Sequence, residues 1–295
     1  MNRFRTAIKN SEFLITAEVA PPKGANITKM LEMAESLKGR VHAVNITDGS
    51  RAVLGMSSLA ASVILKNQEI EPIYQVACRD RNRIGLQGDL LGAAALGIEN
   101  ILALTGDPVK AGDHQDAKSV FDFESIRLLQ AIDKLNHGVN WNGKKLADGG
   151  TDLFPGAAVD PQSSSWSGLK KRFEKKLLAG AQFFQSQLIT DFDKLEKFMN
   201  EVAVETDKPI LAGIFLLKSA KNAAFINKYV PGVNIPDSII NRLGNAEKPL
   251  EEGMKIAAEQ VKIAAGICHG VHLMAVKREE LIPPILDLAE IEAID

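Results

Sequence analysis

Short β-type runs alternate with helix-period segments eight times along this chain, and that alternation leaves few folds open. The runs are FLITAEV (13–19), VHAVNITDG (41–49), EPIYQVACRD (71–80), NILALTGDP (100–108), LFPGAAVDP (153–161), AQFFQSQLI (181–189), PILAGIFLL (209–217) and GVHLMAV (270–276). Between them lie stretches such as ITKMLEMAESLKG, where Ile27, Met30, Leu31, Ala34 and Leu37 recur at helical spacing. Strands that alternate with helices pair in parallel. These strands read as apolar on both faces, as they do when helices cover the outside and side chains fill the inside. Eight such units in 295 residues predict an α/β fold, a closed (β/α)₈ barrel forming a single domain over 1–295. No GxGxxG follows the first strand and no GxxxxGK[ST] occurs, so a Rossmann or P-loop phosphate site is not supported. One stretch breaks the rhythm. HGVNWNGKKLADGGTD (137–152) is polar and glycine-rich, with turn signals at Asn142-Gly143 and Gly149-Gly150, and reads as a small hairpin or excursion.

A net charge of −2 gives no basic field for nucleic acid or an anionic membrane. An aromatic content of 5% offers no stacking platform for single strands. No apolar run reaches the ~18–20 residues that span a bilayer, and no signal-type apolar core follows the basic MNRFRTAIKN. The expectation is a cytoplasmic protein without a nucleic-acid or membrane partner. Cys78 and Cys268 are too few for an iron–sulfur cluster or an all-cysteine zinc site within one chain, and read as reduced core thiols. The histidines are scattered, no HxxH-type pair or GxSxG elbow occurs, and no metal is expected.

In a barrel of this kind the active site lies at the C-terminal ends of the strands. Polar residues collect there: Glu18 on the first strand; Asn45, Thr47 and Asp48 on the second; Gln75, Arg79 and Asp80 on the third; Thr105 and Asp107 on the fourth; Asp160 on the fifth; Gln185 and Gln187 on the sixth; Lys277 and Arg278 on the eighth. Each also has a structural reading. Asp107 in Thr-Gly-Asp-Pro can cap local amides. RDRNR reads mostly as a solvated loop. Gln185 and Gln187, two apart, point the same way and can satisfy each other. Lys176 sits on a lysine-rich helix face. Asp122 or Ser125 is the expected cap of the helix that follows. Glu18 stands out because a carboxylate buried at the end of an apolar strand is paired, protonated or working. Carboxylates, amides and a few cations around a cavity suit acid catalysis, stabilisation of a cation, and the holding of a flat polar heterocycle.

The blocks AEVAPPKG, NITDG, CRDRNRIGLQGDLLGAAALGIENILALTGDP and LAGAQFFQSQ, in this order, resemble the methylenetetrahydrofolate reductase family over about Phe13 to Arg278. The likeness is to the branch whose third strand ends in CRDRN, seen in anaerobic reductases and in fused homocysteine methyltransferase–reductases. The resemblance implies a barrel that carries a flavin, FAD rather than FMN, with a flavin-free variant as the alternative. It implies NAD(P)H as electron donor and reduction of 5,10-methylenetetrahydrofolate to 5-methyltetrahydrofolate in one-carbon metabolism and methionine biosynthesis. By resemblance Glu18 matches the acid that protonates N10, and Asp107 the carboxylate that favours the 5-iminium cation. Gln187 and Arg278 match substrate-binding positions; Thr47, Gln75, Thr105 and Lys176 match cofactor positions.

The chain departs from the better-known flavin-dependent branch, which has a histidine at Gln75, an arginine at Thr105 and a folate-stacking phenylalanine at Ala220. A second implied reading is a barrel subunit that takes electrons from an iron–sulfur partner, since this chain lacks the cysteines for a cluster. A third is a methylfolate-binding protein without redox chemistry, against which Glu18 and Asp107 speak. Members of the family often form homo-oligomers, and the same is expected here.

Overall fold

The expected strands all form, and they hydrogen-bond in chain order into a closed parallel barrel, β1 returning to pair with β8. The computed structural model describes residues 2–230 and 232–294. In chain order the elements are α1 (Arg3–Lys9), β1 (Leu14–Val19), α2 (Thr28–Glu35), β2 (Ala43–Ile46), α3 (Ser58–Lys66), β3 (Pro72–Ala77), α4 (Arg83–Ala95), β4 (Asn100–Leu104), α5 (Ser125–Asn136), β5 (Phe154–Val159) and α6 (Trp166–Leu178). They continue as β6 (Phe183–Leu188), α7 (Phe192–Glu201), β7 (Ile210–Phe215), α8 (Ala220–Tyr229), α9 (Asp237–Asn245), α10 (Pro249–Ala265), β8 (Gly270–Met274) and α11 (Ile282–Leu288).

Alternation along each strand divides its side chains between the helical shell and the axis. On β1, Ile15, Ala17 and Val19 pack with α2, α10 and α11 residues such as Ala34, Val261 and Leu286. Leu14, Thr16 and Glu18 follow the other phase, toward the axis. At the N-terminal end of the barrel Leu14, Ala43, Ile73, Leu102, Phe183 and Leu211 form one apolar floor. Phe4 of α1 closes it from below, edge-on to Phe183 at 5.0 Å between ring centroids. Sequence periodicity gives no hint of α1, which is only two turns long. It forms because Asn2 caps it, accepting the Arg5 N–H at 3.0 Å, and because Arg5 pairs with Glu99 and Asp152. Gly156 on β5 is required by this floor, since a Cβ there would lie 2.2 Å from the Phe183 ring.

One local expectation changes, and two segments gain detail the sequence does not specify. Glu124 caps α5, accepting the N–H groups of Ile126 and Arg127, whereas Asp122 faces away to bind Arg83. The 137–152 excursion folds back on itself through one isolated antiparallel bridge, Val139 with Lys145, with the Asn140 N–H donating to the Lys144 carbonyl at 2.9 Å and the Leu146 N–H to the Gly138 carbonyl at 2.8 Å. It is held by Trp141, which packs on Phe123 at 4.6 Å and whose N–H donates to Gln87. Between β6 and β7 the register slips, with Gln185 opposite Leu211 and Leu188 opposite Gly213. The Ser186 hydroxyl repairs this bulge by accepting the Gly213 N–H at 2.8 Å and donating to the Gln187 carbonyl at 2.7 Å.

Candidate functional site

Above the apolar floor the axis turns polar. Asn45 donates to the Gln185 side-chain carbonyl at 2.6 Å, and Gln185 donates to Thr16 Oγ1 at 3.1 Å and to Asn45 Oδ1 at 3.2 Å. Thr16 Oγ1 lies 3.0 Å from His272 Nδ1, and His272 Nε2 lies 3.9 Å from Glu18 Oε2. Four strands therefore build a hydrogen-bonded layer that ends in an imidazole beneath Glu18. The expected mutual satisfaction of Gln185 and Gln187 does not occur, because the bulge separates them: Gln185 is buried in this layer and Gln187 is exposed at the rim. Glu18 is not sealed either. Its side chain keeps 24% of its exposure, so it faces the mouth rather than the core.

His272 escaped the sequence reading. A lone histidine in GVHLM has no spacing partner, and its one signal is a polar residue inside an apolar strand. Its position explains it: it shares the barrel register of Thr16 on the neighbouring strand. The Thr16 hydroxyl can donate to His272 Nδ1 at 3.0 Å or to the Val271 carbonyl at 3.5 Å. In the first case the ring presents an N–H to Glu18, and in the second a lone pair. The site can thus meet either protonation state of a carboxyl group above it.

The RDRNR run is a set of clamps rather than a solvated loop. Arg79 is buried, binds Asp80 through two nitrogens at 2.8 and 2.7 Å, and donates to the Gly49 carbonyl at 3.1 Å. Arg81 pairs with Asp48 and, at 2.8 Å, with Asp89, while Asp48 also accepts the Ala77 N–H. Arg83 pairs with Asp122 at 2.6 Å, which holds that carboxyl far below the usual carboxylate range. The NITDG and CRDRN blocks therefore meet in space, and what they fix is the ends of β2 and β3. Thr47 and Gln75 stand at those ends. Both are buried, yet their side chains enter no hydrogen bond among the described residues.

Asp107 lies at the same end of the barrel as Glu18. It is exposed, and Oδ2 accepts the Arg51 N–H at 2.8 Å, which ties the loop after β4 to the loop after β2. That second loop is strained: Arg51 and Ala52 both hold φ +56°. Asp113 adds a second tie by accepting the Leu54 N–H at 3.0 Å. Thr105 is exposed, and its Oγ1 accepts the Ser125 N–H at 3.2 Å at the start of α5, which leaves the hydroxyl proton free to donate.

Lys176 is not the solvated lysine its helix suggests. Its amine donates to the Ala158 carbonyl at 2.7 Å, and burial pushes its pKa down. With Asp160, Arg172 and Gln187 it lines a cavity of about 150 Å³ at the ends of β5 and β6. Arg278 follows β8, next to β1, and its Nε donates to Glu280 at 2.6 Å. The strand order places Glu18, Thr47, Gln75, Asp107, Lys176, Gln187 and Arg278 around one end.

These residues fit a flavin in part. Thr47, Gln75 and Gln187 bring polar side chains that enter no hydrogen bond among the described residues, suited to the edge of a flat heterocycle. Arg172 and Lys176, one helical turn apart beside the cavity, bring positive charge for phosphate. Thr105 and the Lys176 amine are already engaged by the protein.

Comparison with known proteins agrees with the geometry. The family model described as methylenetetrahydrofolate reductase matches residues 3–290. Methylenetetrahydrofolate reductase 2 of Schizosaccharomyces pombe is 28% identical over 258 residues, 81% of this chain and 38% of that protein. Methylenetetrahydrofolate reductase 1 of the same organism is 24% identical over 283 residues, 92% of this chain and 45% of that protein. The chain thus spans less than half the length of these curated relatives. A crystal structure of 2,3-dimethylmalate lyase, a PEP mutase/isocitrate lyase superfamily member, superposes with a TM-score of 0.53 at 14% identity, covering 97% of this chain and 82% of that one, a likeness of fold alone. No helix among the described residues is long and apolar enough to cross a membrane. With a family match over nearly its whole length, the chain belongs to the methylenetetrahydrofolate reductase family.

Proposed function

We propose that this barrel reduces 5,10-methylenetetrahydrofolate to 5-methyltetrahydrofolate, with Glu18 as the acid and NAD(P)H as the ultimate donor. The observation that carries the reading is the Glu18 carboxyl at the barrel mouth with an imidazole 3.9 Å beneath it. The chemistry requires such a pair. The methylene bridge of the substrate is a neutral aminal, a poor hydride acceptor. A proton on N10 breaks the bond to that nitrogen and leaves a 5-iminium cation, a good acceptor. Glu18 gives that proton. His272 can then turn its N–H toward the new carboxylate, while Thr16 and Gln185 hold the ring in place.

Asp107, exposed at the opposite rim, supplies the negative charge that favours the cation. Gln187 and Arg278 would hold the pterin and its tail; Thr47, Gln75 and Arg172 would hold a flavin. A bound reduced flavin would supply the hydride, and FAD suits the cationic pair on α6 better than FMN because it brings a second phosphate.

The test is an anaerobic spectrum of the purified protein before and after NAD(P)H, followed by 5,10-methylenetetrahydrofolate. The expected result is a flavin band that bleaches with the nucleotide and returns as 5-methyltetrahydrofolate forms. A protein that makes no 5-methyltetrahydrofolate under any of these conditions overturns the proposal. Bleaching by an iron–sulfur protein but not by NAD(P)H would reassign the donor alone.

A further inference from the structure

The outward face of α4 has no partner among the described residues. Ile84, Gly88, Leu91 and Ala95 recur at i, i+4, i+7 and i+11, form one row and are all exposed. Ile84 is 76% exposed and Leu91 37%, on a helix that already seals itself to the barrel through Leu86, Leu90 and Ala93. Beside the row the 137–152 excursion adds Trp141 and Leu146, and the two sides line a groove of about 700 Å³. Apolar and small residues at this spacing form the seam along which one helix packs on another.

Shape and charge both select a second copy of this chain as what covers the face. Reflected about Gly88, as an antiparallel copy of the helix would be, Ile84 falls opposite Gly92 and Leu91 opposite Gly85, so each large side chain meets bare backbone. Glycine weakens a helix interior relative to alanine, and packing within the chain does not call for it here. A Cβ at Gly88 or Gly92 would meet nothing within 4 Å, and at Gly85 the nearest atom, on Arg81, lies at 3.7 Å. The row carries no ionisable group. Arg83 and Asp89 of α4 are engaged within the chain, with Asp122 at 2.6 Å and Arg81 at 2.8 Å. A twofold axis at Gly88 therefore brings no unpaired charges of α4 together, whereas an acidic or basic partner finds nothing there to pair with. The exposed aromatic pair Phe225 and Tyr229 on α8 differs, since Lys221 and Lys228 beside it would repel their own copies.

We infer that two copies of this chain pair through α4, antiparallel about a twofold axis at Gly88, with Ile84 and Leu91 of each copy seated on Gly92 and Gly85 of the other. An isologous contact needs one patch that fits itself, and α4 supplies it. The glycines let the two backbones approach closely, and Trp141 and Leu146 widen the contact beside the helix pair. α4 lies on the outside of the barrel, so pairing leaves both mouths open. The pairing stands apart from the folate reading and holds whether or not that reading does.

The test is sedimentation of the purified chain over a range of concentrations up to about 100 µM. The wild type is expected as a dimer that dissociates on dilution. Ile84→Glu puts two charges into the contact, one from each copy, and should raise the dissociation constant about a hundredfold. Gly88→Leu should do the same by holding the helices apart. Gly88→Ala should act in opposite directions on fold and pairing: it raises the melting temperature of the dilute monomer and weakens the dimer about tenfold. Leu178→Glu, at an 89% exposed site on α6, should leave pairing unchanged. A wild type that stays monomeric at the highest concentration overturns the inference. A dimer that survives either Ile84→Glu or Gly88→Leu overturns it too, since its axis then lies elsewhere. Circular dichroism checks the fold of each variant, and Gly88→Ala, the mildest change, decides where a larger one fails to fold: an undiminished dimer in that variant overturns the pairing.

Discussion

The two ends of the barrel are built on opposite rules. At the N-terminal end a chain of side chains pairs with one another. Asn2 donates to Glu99 and Asn100, Asn100 donates to Glu71, Arg5 bridges Glu99 and Asp152, and three phenyl rings fill the axis. At the C-terminal end the side chains of Thr47, Gln75 and Gln187 enter no hydrogen bond among the described residues. One end ties its polar side chains to each other; the other leaves several of them open to the mouth. The difference teaches where stability and function reside, and it can be broken by mutation.

The largest effect is expected at the open end. Glu18→Gln should lower the folate half-reaction by ~10²–10⁴-fold, as loss of a proton donor commonly does, and leave thermal stability unchanged. Stopped-flow oxidation by 5,10-methylenetetrahydrofolate measures it, and an unaltered rate removes Glu18 from the chemistry. At the closed end Phe4→Ala should cost about 3–5 kcal/mol of unfolding free energy, read from urea denaturation. Activity per folded molecule should persist, and a selective loss of activity would erase the contrast.

A smaller effect concerns Glu71 at the closed end, where burial raises the carboxyl from 4.5 to about 6. The native state then binds more proton than the unfolded chain between those values, so Glu71 lowers stability as pH rises through that window. Above it the penalty is about 2 kcal/mol, and Glu71→Gln should flatten that part of the stability–pH curve. A mutant curve parallel to the wild type would show that Glu71 carries no such shift. The smallest effect is that of Asp107→Asn, expected to slow the folate half-reaction about tenfold by removing one exposed charge from the cation. A normal rate would leave Asp107 as the tie to Arg51 and nothing more.

Much of this was legible in the sequence, for reasons that also explain the failures. The strands were readable because a buried parallel strand is a short apolar run between turn signals, and eight of them close a ring. Glu18 was readable because a carboxylate on such a run is an anomaly. α1 was not, since two helical turns carry too few residues to show a period. RDRNR misled because a charge run looks the same whether its partners are water or Asp48, Asp89 and Asp122, which lie elsewhere in the chain. Ser186 could not announce a bulge, because its neighbours alternate normally in sequence. Glu279 was hidden inside REEL, where two adjacent glutamates suggest surface and one is buried.

Phe183 and the glycine opposite it have a last consequence. With that ring lying across the bore and Gln185 bridging the next level, nothing the size of a bicyclic heterocycle can descend the axis. A ligand of that size entering this end stops at the rim, where Glu18 keeps 24% of its side-chain exposure. The plug at Phe183 thus sets the depth of the site, and only the side chains above it are open to a ligand of that size.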